Sequence, residues 1–323
     1  MRGLALLLAA LPAAIALLPL TWWIARRRSR GEGITWLSRG ALTAARRVDL
    51  VLLDRWGTVT TGELKVASVE PLDPDHDRNL RWFAGALGHA AEDPVARAVA
   101  RLSTRGKLSG VEQYDGVGIS GSVDRHPVRL GRPDWLGMEV RDGLGVTVGV
   151  QVDARPIGYI TVADDVRLDA AEGVRRLREI GVEPVLVSDD TEKNTRHLAE
   201  SCGIERWHAA IGPADRDALT AEHRDRGAVV ASAGRKPVPS ADLVLGLDVE
   251  DGARLTDLDV GRIATALALS RRCARAAART RGFALAWGAL GAVLAALGTL
   301  GVAGAAVAAL AGCAAVGAVA WRA

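Results

Sequence analysis

Two kinds of hydrophobic pattern divide the chain. Long apolar runs occupy both ends, and short apolar segments alternate with amphipathic ones between residues 31 and 270. Strands that are buried on both faces are continuously apolar, whereas surface helices repeat apolar residues every three or four positions. The middle of the chain therefore predicts strands alternating with helices, which is typical of a doubly wound, parallel α/β sheet.

The individual elements follow from this pattern. Strands are predicted at residues 48–53, 158–162, 184–187, 228–231 and 243–245. Helices are predicted at residues 169–180 and from the capping group at Ser188–Thr191 through Ala199. An amphipathic helical hairpin at residues 79–102 and the glycine-rich strands after it indicate an inserted α+β domain.

The apolar ends predict membrane helices. The run at residues 4–24 ends in Trp22 and Trp23 and is followed by an arginine cluster, as where a membrane helix meets the cytoplasmic face. A cleaved signal peptide is the alternative. Residues 282–321 are long enough for two further spans, at 283–300 and 302–320. The three spans predict a multi-pass plasma-membrane protein with its amino terminus outside and its soluble domains in the cytoplasm.

Composition changes this picture little. Lys and Arg number 41 against 38 Asp and Glu, so the net charge of +3 does not favour nucleic acid as a partner. The three cysteines, Cys202, Cys273 and Cys313, are far apart and indicate neither a disulfide scaffold nor a metal knuckle.

Candidate chemistry begins at Asp54, at the carboxyl end of the first predicted strand. Open α/β sheets place ligands at this edge, and a carboxylate there can be a covalent nucleophile on phosphorus. A turn or capping aspartate is the alternative interpretation of the short pattern alone.

The longer stretch Asp54-Arg55-Trp56-Gly57-Thr58-Val59-Thr60 resembles the D-K-T-G-T-[LI]-T motif of P-type cation-transporting ATPases, in particular the heavy-metal-transporting subclass. This resemblance implies a haloacid dehalogenase-like phosphorylation domain, an inserted nucleotide-binding domain and three transmembrane helices. It also implies ATP as cofactor and Mg²⁺ as the metal, with Asp54 as both metal ligand and phosphorylated residue. Arg55 and Trp56 depart from the motif.

The resemblance extends to other candidate site residues. Ser188 and Asp190 stand in a segment similar to L-T-G-D-N, and Arg216 occupies the place of a lysine. The implied catalytic residues are Asp54, Thr58, Ser188, Asp190 and Arg216. Similarity to the S-E-H-P segment and to a G-x-G-x-x-G…V-G loop implies the nucleotide-binding residues Asp93, Pro94, Gly116, Gly118, Gly121 and Gly131.

The departures bear on activity. Ala233 stands where the resembling family has a magnesium-binding aspartate, and Asp93 where it has a histidine. Both changes predict weakened Mg²⁺ and nucleotide binding, because Mg²⁺ prefers carboxylate oxygens and a second carboxylate repels ATP phosphates. Arg235 and Lys236 are hypothesised to replace the metal's charge in part. The helix at residues 4–24 has no cysteine beside its prolines, which predicts that no ion crosses.

The implied domains are residues 1–30 (membrane helix and basic flank), 31–64 with 159–270 (phosphorylation domain), 65–158 (nucleotide-binding domain) and 271–323 (basic flank and membrane hairpin). The sequence predicts a truncated pseudo-ATPase with a regulatory or partner role, lacking the family's actuator domain. Two alternatives stay open. One is a residual ATPase or transporter component that autophosphorylates at Asp54, with a protein partner supplying the missing transporter segments, and the other is a structural membrane subunit.

Overall fold

The computed structural model describes residues 20–141, 144–299 and 301–321. Its helices are α1 Leu20–Gly31, α2 Arg39–Ala45, α3 Asp77–Gly88, α4 Pro94–Ala100, α5 Ala170–Glu179, α6 Glu192–Cys202, α7 Pro213–Asp225, α8 Val260–Ala296 and α9 Val302–Trp321. Its strands are β1 Ile34–Trp36, β2 Leu50–Asp54, β3 Thr60–Pro71, β4 Leu108–Tyr114, β5 Gly118–Val123, β6 His126–Gly131, β7 Val146–Val152, β8 Arg155–Val166, β9 Glu183–Val187, β10 Arg206–His208, β11 Val230–Ala233, β12 Leu243–Gly246 and β13 Ala253–Leu255.

The chain forms two compact units. The first contains residues 1–59, 168–189 and 199–323, and the second contains residues 60–167 and 190–198. The predicted insertion, residues 65–158, lies inside the second unit. The second unit starts where β3 leaves the turn after Asp54, because β3 pairs along its length with β8 rather than with the first sheet.

The first unit is built on a seven-stranded sheet in the order β1-β13-β12-β11-β2-β9-β10. All neighbours pair in parallel except β1 and β13, which are antiparallel. The central strand β2 is buried over four consecutive residues, as a strand covered on both faces must be. The prediction of a parallel α/β sheet with Asp54 at a strand end is confirmed.

The second unit is a six-stranded antiparallel sheet in the order β3-β8-β7-β6-β5-β4, packed against α3 and α4. Leu80, Leu87 and Val99 from the helices join Ile119 and Val150 from the strands in one core. The predicted helical hairpin is confirmed as α3 and α4. Because apolar residues recur at helical spacing in this hairpin, each helix has one apolar face that covers the sheet.

The predicted membrane segments are not confirmed. The first, residues 4–24, lies mostly outside the described residues, and the spans at 283–300 and 302–320 fall on α8 and α9. Among the helices within the described ranges, none is long and apolar enough to cross a membrane. The predicted basic flank is instead the middle of α8, which runs without interruption from Val260 to Ala296 because no proline breaks it.

Candidate functional site

Asp54 lies in the first unit at the carboxyl end of β2, where the chain turns sharply. The turn, Arg55–Val59, contains Gly57 at a φ of +73°, a conformation that glycine adopts without a steric penalty. The Asp54 side chain is 13% exposed. The turn therefore holds a largely buried carboxylate at the sheet edge where α/β proteins bind ligands.

Arg216, from α7, is the principal partner of Asp54. Its Nη2 donates to Oδ1 of Asp54 at 3.2 Å, and its side chain is 16% exposed. The backbone N–H of Trp56 also donates to this carboxylate. Burial nevertheless raises the pKa of Asp54 above its ordinary value, because the loss of hydration outweighs the opposing effect of Arg216. Asp54 is thus a largely buried carboxyl group that already has a protein cation as its partner.

The neighbouring strand β11 closes the space beside Asp54. Ala233 pairs in register with Leu53, which brings Gly234 level with Asp54. A Cβ atom on Gly234 would lie 2.5 Å from Cβ of Asp54. The cavity that Asp54, Arg216, Ala233 and other residues line has a volume of about 10 Å³, which is room for about one water molecule.

Further positive charge follows Gly234. Nε of Arg235 would lie 2.8 Å from a Cβ atom on Gly57, so this side chain lies against the turn after Asp54. Lys236 lines the same small cavity as Asp54 and Arg216. Three basic residues therefore lie close to Asp54, and the negative charge of Asp189 acts on it as well. The positive charges outnumber the carboxylates, an arrangement that favours an anion over a second cation.

The residues around Asp54 do not fit a magnesium ion. Mg²⁺ needs near-octahedral oxygen ligation and is usually held by one or two carboxylates. Ala233 supplies no oxygen from its side chain, and a guanidinium already occupies one face of Asp54. In the part of the chain that the structure describes, no group of three or more His, Cys, Asp or Glu residues could hold a metal ion.

The other predicted catalytic residues have different environments. The Thr58 hydroxyl is fully buried and has no hydrogen-bond partner among the described residues. Ser188 is also fully buried, and its backbone bonds with His208 and Ile211 fix the end of β9. Asp190 lies in the second unit, where its Oδ1 accepts from the backbone of Thr191 at 2.7 Å and from Asn194 at 3.0 Å.

The second unit has a larger pocket of about 350 Å³. Of the residues predicted to bind nucleotide, it is lined by Asp93, Gly116, Gly118 and Gly131. Gly118 and Gly131 pair directly across β5 and β6, and a Cβ atom on either would collide with the backbone of the other strand. These glycines therefore let two strands approach closely in the wall of the pocket.

Two predicted residues lie outside the lining of this pocket. Gly121 faces Leu87 and Val111, where a Cβ atom would be in close contact. Pro94 is the first residue of α4, a position that needs no backbone donor. Its neighbour Asp93 caps that helix, accepting from the backbone of Val95 and Ala96 at 2.9 and 3.0 Å.

Sequence reasoning missed an aromatic pair beside the glycines. Tyr114 and Trp135 have ring centroids 5.1 Å apart, and the guanidinium of Arg129 lies 4.0 Å from the Trp135 ring centroid. Trp135 also packs against Gly118 and Gly131. The sequence does show two aromatic residues that flank the glycine motif, in a chain with few aromatics. Only the pairing of the strands shows that the two rings are in contact.

Comparisons with known proteins agree with this arrangement. A model of haloacid dehalogenase-like hydrolases matches residues 48–237, which is more than half of the chain and includes both the Asp54 turn and Arg235. The chain belongs to the haloacid dehalogenase-like hydrolase family. Within this family, the predicted resemblance to heavy-metal P-type ATPases is confirmed by the relatives.

The copper-exporting P-type ATPases of Mycobacterium leprae and Mycobacterium tuberculosis are each 32% identical to this haloacid dehalogenase-like chain over 273 residues. The match covers 80% of this chain and 34% of each relative. The chain therefore spans about a third of the length of these curated relatives.

Solved structures show the same fold. A zinc-transporting PIB-type ATPase in its E2.Pi state superposes with a TM-score of 0.80 at 22% identity, covering 98% of this chain and 55% of that chain. The catalytic domain of the CPx-ATPase CopB-B superposes with a TM-score of 0.60 at 16% identity, covering 76% of this chain and 98% of that domain.

Proposed function

We propose that this chain is a P-type ATPase homologue that does not turn over ATP and acts through binding. The observation that carries this proposal is the ion pair between Asp54 and Arg216, at 3.2 Å and largely buried, beside a strand that ends in Ala233. In this proposal the pair of Asp54 and Arg216 stabilises the fold of the first unit and has no catalytic role. Its regulatory or partner role would be exerted through the second unit or through a protein carrying further transporter segments.

The chemistry of phosphoryl transfer explains why this pair matters. A carboxylate nucleophile must reach phosphorus in line with the leaving group, while cations neutralise the charge on the transferred group. The Arg216 guanidinium instead holds one of the two carboxylate oxygens of Asp54, Oδ1, and a planar fork cannot reorient as a compact ammonium does. The cavity of about 10 Å³ also leaves no room for a phosphoryl group without movement of the surrounding side chains.

Nucleotide binding by the second unit is part of the proposal. The pocket of about 350 Å³ has the size of a small-molecule site and combines apolar walls with a few polar groups. Asp93 and Asp115 line it, so ATP phosphates are repelled on one side. We expect ATP to bind here weakly.

A residual autophosphorylating enzyme is the second candidate. It is favoured by the Thr58 hydroxyl, which is buried without a partner in the turn that follows Asp54 and has a hydrogen bond left to donate. In that reaction an Asp54 oxygen would form a bond to the γ-phosphorus of ATP, the bond to the bridging oxygen would break, and ADP would leave.

One experiment separates the two candidates. Purified full-length chain is incubated with γ-labelled ATP and Mg²⁺, and acid-stable label is counted beside that of Asp54→Asn. The proposal expects equal, background label in both proteins. Label that is present in the natural chain and absent from Asp54→Asn would overturn it and establish the enzyme.

Two further variants test which residues prevent phosphorylation of Asp54. Arg216→Lys and Ala233→Asp restore an ammonium and a carboxylate at the two departures from the family motif. Label that appears only in the double variant, and again disappears with Asp54→Asn, would support the view that these two residues silence the site. Its absence, in a protein that keeps its circular dichroism spectrum, would contradict that explanation.

Membrane association is a further part of the proposal. Helices α8 and α9 expose large apolar side chains, namely Leu285, Leu290, Val293, Leu297, Val307 and Leu310. Such a concentration marks an interaction surface for a partner or a membrane. The proposal places it against the plasma membrane, with both units in the cytoplasm. Recovery of the expressed chain in the soluble fraction after cell lysis would contradict it.

A further inference from the structure

One face of α1 anchors this helix to the first unit. Ala25 and Ser29, one turn apart, are 1% and 0% exposed. The Ser29 hydroxyl accepts a hydrogen bond of 2.9 Å from the indole of Trp36, which is itself fully buried. The helix also packs against α8 and α9. These contacts fix the rotation of α1 about its own axis, and they therefore determine which of its side chains face outward.

The outward face combines one tryptophan with three arginines. Trp23, Arg26, Arg27 and Arg30 follow the i, i+3, i+4, i+7 spacing of a single helical face. Together they line a cleft of about 270 Å³. Trp23 is 66% exposed, although a large aromatic side chain normally seeks burial. We call these four residues the arginine face of α1.

The arginine face lacks countercharges. Across the described residues, none of Arg26, Arg27 and Arg30 forms an ion pair, whereas exposed arginines such as Arg196 and Arg226 pair with a glutamate one turn away. No Asp or Glu occurs after Asp259 in the sequence, so α8 and α9, against which α1 packs, supply only basic charge. The surface is therefore complementary to an anion.

The kind of anion follows from the tryptophan. Guanidinium groups bind phosphate oxygens in a bidentate manner, which any phosphate would satisfy. An exposed indole beside them fits the boundary between phospholipid headgroups and acyl chains, where tryptophan is enriched. The exposed leucines and valines of α8 and α9 belong to the same unit and match the acyl region.

We propose that the arginine face of α1 binds the phosphate headgroups of anionic phospholipids. Arg26, Arg27 and Arg30 contact the phosphates, and Trp23 inserts at the level of the glycerol backbone. Neither the aspartate site nor the nucleotide pocket takes part. The proposal is independent of whether ATP is hydrolysed, and it assigns a ligand to a surface that phosphoryl transfer does not use.

The test compares full-length proteins on vesicles. Flotation is measured with vesicles of phosphatidylcholine alone and with vesicles in which a quarter of the lipid is phosphatidylglycerol, and the ratio of the two partition coefficients is the readout. Apolar insertion contributes equally to the two partition coefficients, so its contribution cancels in their ratio. The test variant is Arg26→Gln/Arg27→Gln/Arg30→Gln, and the control is Arg78→Gln/Arg105→Gln/Arg155→Gln, which removes the same charge from exposed positions of the second unit.

The natural chain is expected to prefer the anionic vesicles, and the test variant to lose that preference by about 100-fold, since each basic residue near the surface contributes about a factor of five. The control variant should keep it. Equal loss in both variants would mean that only net charge matters and would overturn the proposal, and so would an unchanged ratio in the test variant.

Two further measurements address the alternatives. Quenching of Trp23 by brominated lipids, taken as the difference from Trp23→Phe, should increase with the anionic fraction and disappear in the test variant. Binding that is abolished by inorganic phosphate at the ionic strength of a chloride control would assign the face to a free anion and overturn the lipid proposal. The variant Arg26→Lys/Arg27→Lys/Arg30→Lys keeps the charge and should keep most of the anionic preference.

Discussion

Nη2 of Arg216 lies 3.2 Å from Oδ1 of Asp54, and each side chain is mostly removed from solvent. The two residues are 162 positions apart in the chain. Asp54 thus has a basic partner at hydrogen-bond distance, in a space that admits about one water. Four predictions follow from this pair, from its neighbour Gly234 and from the pocket of the second unit.

Loss of the Arg216 guanidinium should destabilise the first unit. Arg216→Met leaves a buried carboxylate without its partner, and we expect a cost of about 2–3 kcal/mol in the free energy of unfolding, since breaking a fully buried pair costs more. Urea denaturation measures it. Arg226→Met is the control, because Arg226 follows the opposite end of α7, pairs with Glu222 on the surface and should cost less than about 1 kcal/mol. Equal costs would contradict a structural role for the pair.

Asp54 should give the protein a specific pH dependence. Burial raises the pKa of Asp54 in the folded state above its ordinary value of 3.8, so the folded state binds more protons than the unfolded state between these two pKa values. This contribution to stability is fully present below pH 3.8 and is lost as the pH rises through the folded pKa. Relative to Asp54→Asn, the natural chain should therefore lose stability over that window. A difference that stays constant with pH would refute the shift.

Gly234 should tolerate no side chain. In Gly234→Ala the new Cβ atom would lie 2.5 Å from Cβ of Asp54, and we expect a loss of about 1–3 kcal/mol from overpacking. Gly282→Ala is the matched control, because Gly282 lies within α8 and, apart from the adjoining residues and backbone of that helix, no described atom lies within 4 Å of the new methyl group. That change should stabilise the helix by about 0.5–1 kcal/mol. Thermal unfolding of both variants distinguishes the two signs.

Asp93 should affect helix stability and ligand binding separately. Asp93→Ala removes the cap of α4 and should cost about 1 kcal/mol, whereas Asp93→Asn keeps a capping oxygen. Asp93→Asn also removes a negative charge from the pocket lining, so the affinity for ATP should rise by about fivefold. Titration of a fluorescent ATP analogue measures it. Asp153→Asn, an exposed change outside the pocket, should leave the affinity unaltered.

The sequence determined the local elements and the position of Asp54. The continuous apolar run of β2 predicts a strand covered on both faces, and Asp54 at its end needs no tertiary information to be placed at the sheet edge. The helical periods of α3 and α5 likewise predict which faces are buried. These features are local, because each depends on side chains within two turns or one strand.

The tertiary structure decided what surrounds those elements. It brought Arg216 to Asp54, set Gly234 level with that carboxylate through the register of β11 and β2, and packed Trp135 against two paired glycines. It also joined β1 to β13, whose three-residue length carries no periodic signal. Except for those of Trp135, these contacts join residues more than a hundred positions apart, and they depend on strand order and register. Hydrophobic periodicity encodes which face of an element is buried, and it does not encode which element covers that face.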